Sequence, residues 1–219
     1  MSDAPGIIDA AKQGDLARIE ALLAADSALA AARADSGETP LMAALYRGHH
    51  SIVDALLAAG APVDVFAAAA LGRRDDLVHA LRQSPDAACE RSYDGWTPLH
   101  LAAFFGHREA AALLTSHGAD LQARSQNSLQ NTPLHAAVAG GHVDVSLFLI
   151  EQGAGVEVAD AGGHTPLHIA AEAGYVPVVE ALLARGADPL AVDLEQKTPL
   201  ARAAARNHDE VIDLLNKRI

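Results

Sequence analysis

Cysteine is almost absent from this chain of 219 residues, in which Cys89 is the only one. A single cysteine excludes a disulfide bond within the chain, and it makes a cysteine-based metal site implausible. The sequence also contains no nucleophile elbow, phosphate-binding loop or metalloprotease motif. We therefore expect no cofactor, no metal and no enzymatic activity.

Aromatic residues and long apolar runs are also scarce. Hydrophobic residues make up 50% of the chain, yet only 4% of the residues are aromatic, and alanine dominates. This composition favours thin helices that pack closely together. No run approaches the roughly 18 apolar residues that a membrane-spanning helix requires. The start of the chain, MSDAPG, lacks a basic segment followed by an apolar one, so we expect no signal peptide and a soluble, cytoplasmic protein.

Basic residues are few relative to acidic ones: 16 Lys and Arg stand against 28 Asp and Glu, which gives a formal net charge of −12. This balance disfavours nucleic acid as a partner, since binding to phosphates depends on Lys and Arg. It also disfavours an anionic membrane and favours a basic or mixed polar–apolar protein partner. Lysine occurs only at Lys12, Lys197 and Lys217. Few lysines beside abundant alanine and arginine are typical of a GC-rich bacterial source.

What the chain does have is a repeated motif. Thr-Pro-Leu begins at Thr39, Thr97, Thr132, Thr165 and Thr198. Subtraction gives spacings of 58, 35, 33 and 33 residues. Nine positions after each Thr stands a turn residue: Gly48, Gly106, Gly141, Gly174 and Asn207. Because 58 is 25 plus 33, the first gap contains one further unit that lacks the motif.

The segment from Asp94 to Asp120 shows how one copy folds. Thr97 can cap a helix with its hydroxyl, and Pro98 fits the first helical position, where no amide donor is needed. Gly106 ends this helix, and a second helix runs to Gly118. The segment is a helix–turn–helix hairpin that is too small to bury its apolar side alone.

A 33-residue period with Thr-Pro-Leu-His resembles the ankyrin-repeat family, and the match covers nearly the whole chain. The resemblance implies an all-α ankyrin-repeat solenoid of about seven helix–turn–helix units with β-hairpin or loop fingers. It also implies a non-catalytic scaffold for protein–protein interaction that binds its partner on the concave face of fingers and inner helices. The alternatives are an accessory protein that stabilises a neighbouring enzyme, or an enzyme or ligand-binding protein with a site at the third repeat.

We expect a single domain over residues 1–219, acting as a monomer. Residues 1–35 and 190–219 are predicted to be terminal cap repeats. The internal repeats are predicted at residues 36–63, 64–91, 92–122, 123–156 and 157–189. The third unit lacks eight residues between Gly60 and Asp64 and therefore its finger, and Phe66 is expected in the buried leucine position. The fifth unit carries an insertion in ARSQNSLQN.

Seven of the eleven histidines occupy repeated positions, which argues against a metal site, and surface solvation explains the other four. His100, His135 and His168 each follow Thr-Pro-Leu. Equivalent residues in successive repeats lie on the order of 10 Å apart, whereas zinc ligands lie about 2 Å from one ion. The resemblance implies that these histidines bond backbone or Thr groups and hold the turn.

A set of residues in places that the stacking core does not require is the candidate partner-binding site. On a helical wheel Leu101, Phe104 and Phe105 point away from Leu99. The predicted site comprises Tyr46, Arg47, Tyr93, Trp96, Leu101, Phe104 and Phe105. The resemblance implies that such places line the concave surface. An open alternative is that Phe104 and Phe105 cover apolar surface exposed by the missing finger.

Overall fold

The computed structural model describes residues 3–218, and within them every regular element is a helix. The fourteen α-helices are α1 (Ala4–Gln13), α2 (Leu16–Ala25), α3 (Pro40–Tyr46), α4 (His50–Ala58), α5 (Val65–Leu71), α6 (Arg74–Gln83), α7 (Pro98–Phe104), α8 (Arg108–Ser116), α9 (Pro133–Ala139), α10 (Val143–Glu151), α11 (Pro166–Ala173), α12 (Val176–Ala184), α13 (Pro199–Ala205) and α14 (Asp209–Asn216). Two 3-10 helices cover Ser27–Ala31 and Pro85–Cys89. The all-α prediction is confirmed, and the loops of the described chain contain no β-strand.

The described chain forms two compact units, which meet in sequence between Ala67 and Ala68. In the first unit α1 pairs with α2 and α3 with α4, while α1 packs on α3 and α2 on α4. Its interior includes Ile7, Ile19 and Leu41, which are fully buried. The expectation of one continuous repeat domain stays a prediction.

The second unit repeats the same pairing over a longer stretch. Helices α7, α9, α11 and α13 pack in that order, and α6, α8, α10, α12 and α14 pack in a second row. Each helix has only seven to ten residues, which is too short for stability in water without tertiary packing. Leucines of both rows form the interior of this unit. The fully buried ones include Leu77, Leu99, Leu114, Leu134, Leu149 and Leu167.

Helix starts follow the chemistry of the repeated motif. The hydroxyls of Thr39 and Thr198 accept bonds from backbone amides three residues on, each at 3.2 Å. The third unit, which lacks Thr-Pro-Leu, begins α5 differently. Asp64 accepts from the amides of Phe66 and Ala67 at 3.1 and 2.9 Å, so a carboxylate replaces the hydroxyl as the cap. The prediction that Phe66 is buried is wrong, since this residue is only half-buried.

Candidate interaction surface

The three motif histidines link each helix pair to the loop that precedes the next pair. Nε2 of His100 donates to the carbonyl of Asn131 at 3.0 Å. His135 and His168 make the same bond to His164 and Lys197, at 2.9 and 3.1 Å. These contacts join residues 29 to 31 positions apart, slightly less than one repeat, because each runs from a helix to the loop just before the equivalent helix of the next repeat.

Hydrogen bonding also fixes the tautomer of these rings. The backbone amide of Thr97 donates to Nδ1 of His100 at 3.3 Å, and the Thr97 hydroxyl lies 2.7 Å from the same nitrogen. An amide can only donate, so Nδ1 accepts and the proton sits on Nε2. The ring is therefore held neutral. The prediction that the motif histidines bond backbone and Thr groups is confirmed.

Burial opposes protonation of the same rings. It lowers the pKa of His100 to about 4, against the raising effect of the bond to Asn131. Burial likewise lowers the pKa of His135 and His168. The cause of these shifts is structural, since each ring is buried where it bonds the backbone.

A second group of histidines reaches back to the preceding helix pair. Nε2 of His107 donates to the carbonyl of Ala70 at 2.9 Å, and His208 bonds Glu172 in the same way at 3.0 Å. The ring of His107 lies against Gly72, whose φ is +66° and where a β-carbon would come within 2.5 Å of a ring atom. Glycine is required there for both reasons. In residues 3–218 no three His, Cys, Asp or Glu side chains are grouped to hold a metal ion.

The structure separates the predicted partner-binding residues by exposure. In the first unit Tyr46 is half-buried and Arg47 is exposed, at the end of α3. In the second unit Tyr93 is exposed, with 36% of its surface accessible. Phe104 and Phe105 are half-buried at the end of α7.

Two of the predicted residues are not on the surface. Leu101 has no exposed area and Trp96 is only 6% exposed, so the expectation that they face away from the core is wrong. The helical wheel assumed that α7 buries one face, but α7 packs on α8, α9 and the second 3-10 helix. The Trp96 ring contacts Phe104 edge-on, with centroids 5.2 Å apart. Phe104 in turn meets Phe105 at the same centroid distance.

Four loops of the second unit, at residues 92–96, 125–131, 160–164 and 193–197, are here called the finger loops. Each is closed by a bond from its first amide to its last carbonyl, as in Ser92 to Trp96 at 2.8 Å. Neighbouring loops are bonded to one another through Gln126 to Gly95, Ala161 to Leu129 and Leu194 to Gly162, at 2.9 to 3.0 Å. Backbone hydrogen bonds therefore connect the four finger loops into one continuous edge of the second unit.

Exposed apolar side chains stand on these loops, and sequence reasoning missed most of them. Leu129 is 52% exposed and Leu194 is 74% exposed. Tyr93, the exposed Ala161 and Leu194 are each the second residue of their loop, and Leu129 lies later in the longer loop; we call these four residues the tip row. Leu190 and Val192 are also more than half exposed nearby in sequence. The available signal was an apolar residue inside a polar turn, as in SQNSLQN, where no helix face can bury it.

The last finger loop carries a charged cluster with a structural role. The carboxylate of Asp193 is fully buried and accepts from Nε of Arg202 at 2.8 Å. Burial alone would raise the pKa of Asp193, but the Lys197 amide and Arg202 lower it to about 2. Nε2 of His164 accepts from Arg202 at 3.1 Å. Because every one of these groups is paired, the cluster holds the loop rather than offering a site.

Paired short helices, histidine bonds one repeat apart and a bonded edge of loops define a helical repeat protein. A family model described as ankyrin repeats (3 copies) matches residues 7–125, 65–160, 123–193 and 156–219. The chain belongs to the ankyrin-repeat family. A comparison with curated proteins found no match. None of the helices within residues 3–218 has the length and apolar character needed to cross a bilayer.

Proposed function

We propose that this chain is a non-catalytic protein–protein interaction scaffold that binds its partner through the tip row and the adjoining ends of the inner helices. Ankyrin repeats are generally protein–protein interaction modules. The observation that carries the proposal is the exposure of Tyr93, Leu129 and Leu194 on loops bonded to one another. Arg47 and Tyr46 belong to the proposal as contacts offered by the first unit.

The energetics favour use of this edge. Burying a leucine or an aromatic ring of this size stabilises a complex by roughly 1.5–3 kcal/mol. Tyrosine is also over-represented among residues that dominate binding energy, which favours Tyr93. The loops are held by backbone bonds before any partner arrives, so little ordering cost opposes binding.

Phe104 and Phe105 extend the proposed surface. Both rings are half-buried, and Trp96 supports Phe104 from the interior side. Their exposed portions lie at the end of α7, next to the turn at Gly106. The proposal therefore keeps these two residues as contacts and gives Trp96 a supporting role.

Affinity capture from the source cells, followed by mass spectrometry, identifies the partner, and a dissociation constant then tests the surface. The Leu129→Asp and Leu194→Asp double variant should weaken binding at least tenfold, because it places two charges on the tip row. The matched control is Ala184→Asp combined with Arg185→Gln, at exposed positions at the end of α12. Equal affinity of the tip-row variant and the wild type, with unchanged circular dichroism, would contradict the proposal.

A further inference from the structure

An open polar groove of about 500 Å³ lies in the second unit between Arg91, which precedes the finger loop at residues 92–96, and the finger loop at residues 125–131. Its lining residues are Arg91, Arg124, Ser125, Gln126, Asn127 and Gln130. The lining contains two guanidinium groups and no carboxylate. In a chain of net charge −12 this is a local concentration of positive charge.

Both guanidiniums are oriented by backbone carbonyls. Nη1 of Arg91 donates to Arg124 at 2.7 Å and to Gly95 at 3.1 Å. Nη1 of Arg124 donates to Gln130 at 3.2 Å. Neither side chain forms an ion pair with a carboxylate anywhere in the described chain, residues 3–218. Arginine has five N–H donors, so each group keeps donors beyond those that fix its position.

The walls of the groove are also fixed. The amide of Gln126 donates to Gly95 at 2.9 Å, and Nδ2 of Asn127 donates to the carbonyl of Asp94 at 3.1 Å. Oδ1 of Asn127 accepts from the amide of Leu129 at 3.0 Å. The Thr-Pro-Leu spacing here is 35 residues instead of 33, so this finger loop is longer than the others.

We propose that this groove binds the carboxylate of an Asp or Glu side chain in a protein partner, and that the partner is an acidic segment with apolar neighbours. The guanidinium fork matches a carboxylate in shape and charge, and such bonds are stronger than neutral ones. Tyr93 and Leu129 stand exposed on the same two loops, where they receive the apolar neighbours. This inference rests on the proposed function, and it names a partner whose charge opposes the expectation drawn from net charge alone.

The test uses a displayed library of random twelve-residue peptides selected against the full-length protein. The selected peptides should be enriched in Asp or Glu beside apolar residues. For the tightest peptide, Arg124→Gln should raise the dissociation constant about fivefold to tenfold. Glutamine keeps an amide donor for the Gln130 carbonyl while removing the charge.

Arg185→Gln is the matched control. Arg185 is exposed, lies in the same unit and donates to a backbone carbonyl, that of Glu151 at 3.3 Å. Arg185→Gln changes the net charge by the same amount as Arg124→Gln, so it corrects for the effect of long-range electrostatics on affinity. The affinity of Arg185→Gln should stay within about twofold of the wild type.

Replacing the peptide Asp or Glu by its amide gives a second measurement that does not depend on folding of a variant. The amide peptide should bind the wild type at least as weakly as the acidic peptide binds Arg124→Gln, because Arg91 remains in that variant, and it should lose no further affinity on Arg124→Gln. Additive losses, or selected peptides without acidic residues, would overturn the inference. If such neutral peptides still depend on Leu129 and Leu194, the proposed function survives; a library without any binder contradicts both.

Discussion

Trp96 shows how a surface expectation fails at a single side chain. It precedes the helix cap, in a loop, and a loop residue outside the helical period has no predicted burial. Its ring nevertheless packs on His100 and Phe104, with centroids 5.8 and 5.2 Å away. Trp96 is the last residue of its finger loop, and its large side chain is buried next to the helix cap instead of facing solvent.

Replacing Trp96 by alanine should therefore reduce stability. Truncation of a buried tryptophan leaves a cavity, and we expect a loss of about 3 kcal/mol or more in the free energy of unfolding. Tyr93→Ala, three residues away and exposed, should cost less than about 1 kcal/mol. Urea unfolding followed by circular dichroism measures both, and equal midpoints for the two variants would contradict the supporting role of Trp96.

His100 couples stability to pH through its neutral tautomer. Its pKa in the folded chain is about 4, below the ordinary value of 6.5, so the unfolded chain binds the proton first as the pH falls. The contribution of the neutral His100 ring to the free energy of unfolding is complete above about pH 6.5. It is lost as the pH falls from there through about 4. Between pH 7 and pH 5 this single group accounts for about 2 kcal/mol of lost stability.

The His100→Gln variant isolates this effect. It should be less stable than the wild type at pH 7, and its urea midpoint should fall less between pH 7 and pH 5. His79→Gln serves as the control, because His79 is exposed on α6 and should leave the wild-type pH dependence unchanged. If His100→Gln lost as much stability over this range as the wild type, protonation of His100 would not be the cause.

The third helix pair differs from its neighbours as an element. Asp64 caps α5, so loss of the Thr-Pro-Leu motif does not leave the first amides without a partner. Ala67 stands where the next three units carry His100, His135 and His168, and alanine cannot make the bond to a following loop.

Amide hydrogen exchange should accordingly be faster in α5 and α6 than in α9 and α11. The physical reason is that local opening breaks fewer interactions where the histidine bond to the following loop is missing. Exchange measured by mass spectrometry on the whole chain gives the comparison within one sample. Protection of Val65–Leu71 and Arg74–Gln83 equal to that of Pro133–Ala139 would show that packing alone sets local stability.

Across the molecule, sequence predicted what repeats and missed what does not. The spacing of Thr-Pro-Leu and of the turn glycines located the helix pairs, because each unit needs the same cap and the same turn. Most of the tip row was not predicted from the sequence, because the exposure of a residue such as Leu194 depends on how the finger loops bond to one another. The groove was also missed, although Arg91 and Arg124 lie 33 residues apart, which is one repeat period, because the sequence does not show which backbone carbonyls orient their guanidinium groups.

The end of the second unit depends on contacts that combine apolar packing with ion pairs. Helix α13 packs on α11, and α14 packs on α12 with Val211 and Leu215 buried. Arg206 donates to Glu172 at 2.8 Å, and the backbone carbonyl of Glu172 accepts from His208. These bonds fix the last helix pair onto its neighbour.

Deleting residues 195–219 should therefore expose the apolar sides of α11 and α12 to water. A repeat array needs a polar terminal surface for solubility, so we expect the shortened chain to self-associate. Light scattering coupled to size exclusion should give it a larger apparent mass than the full chain at equal concentration. Deletion of only residues 217–219 is the control, because it leaves α13 and α14 in place. A shortened chain with the mass of a single copy and native circular dichroism would show that α11 and α12 can bear an exposed apolar side.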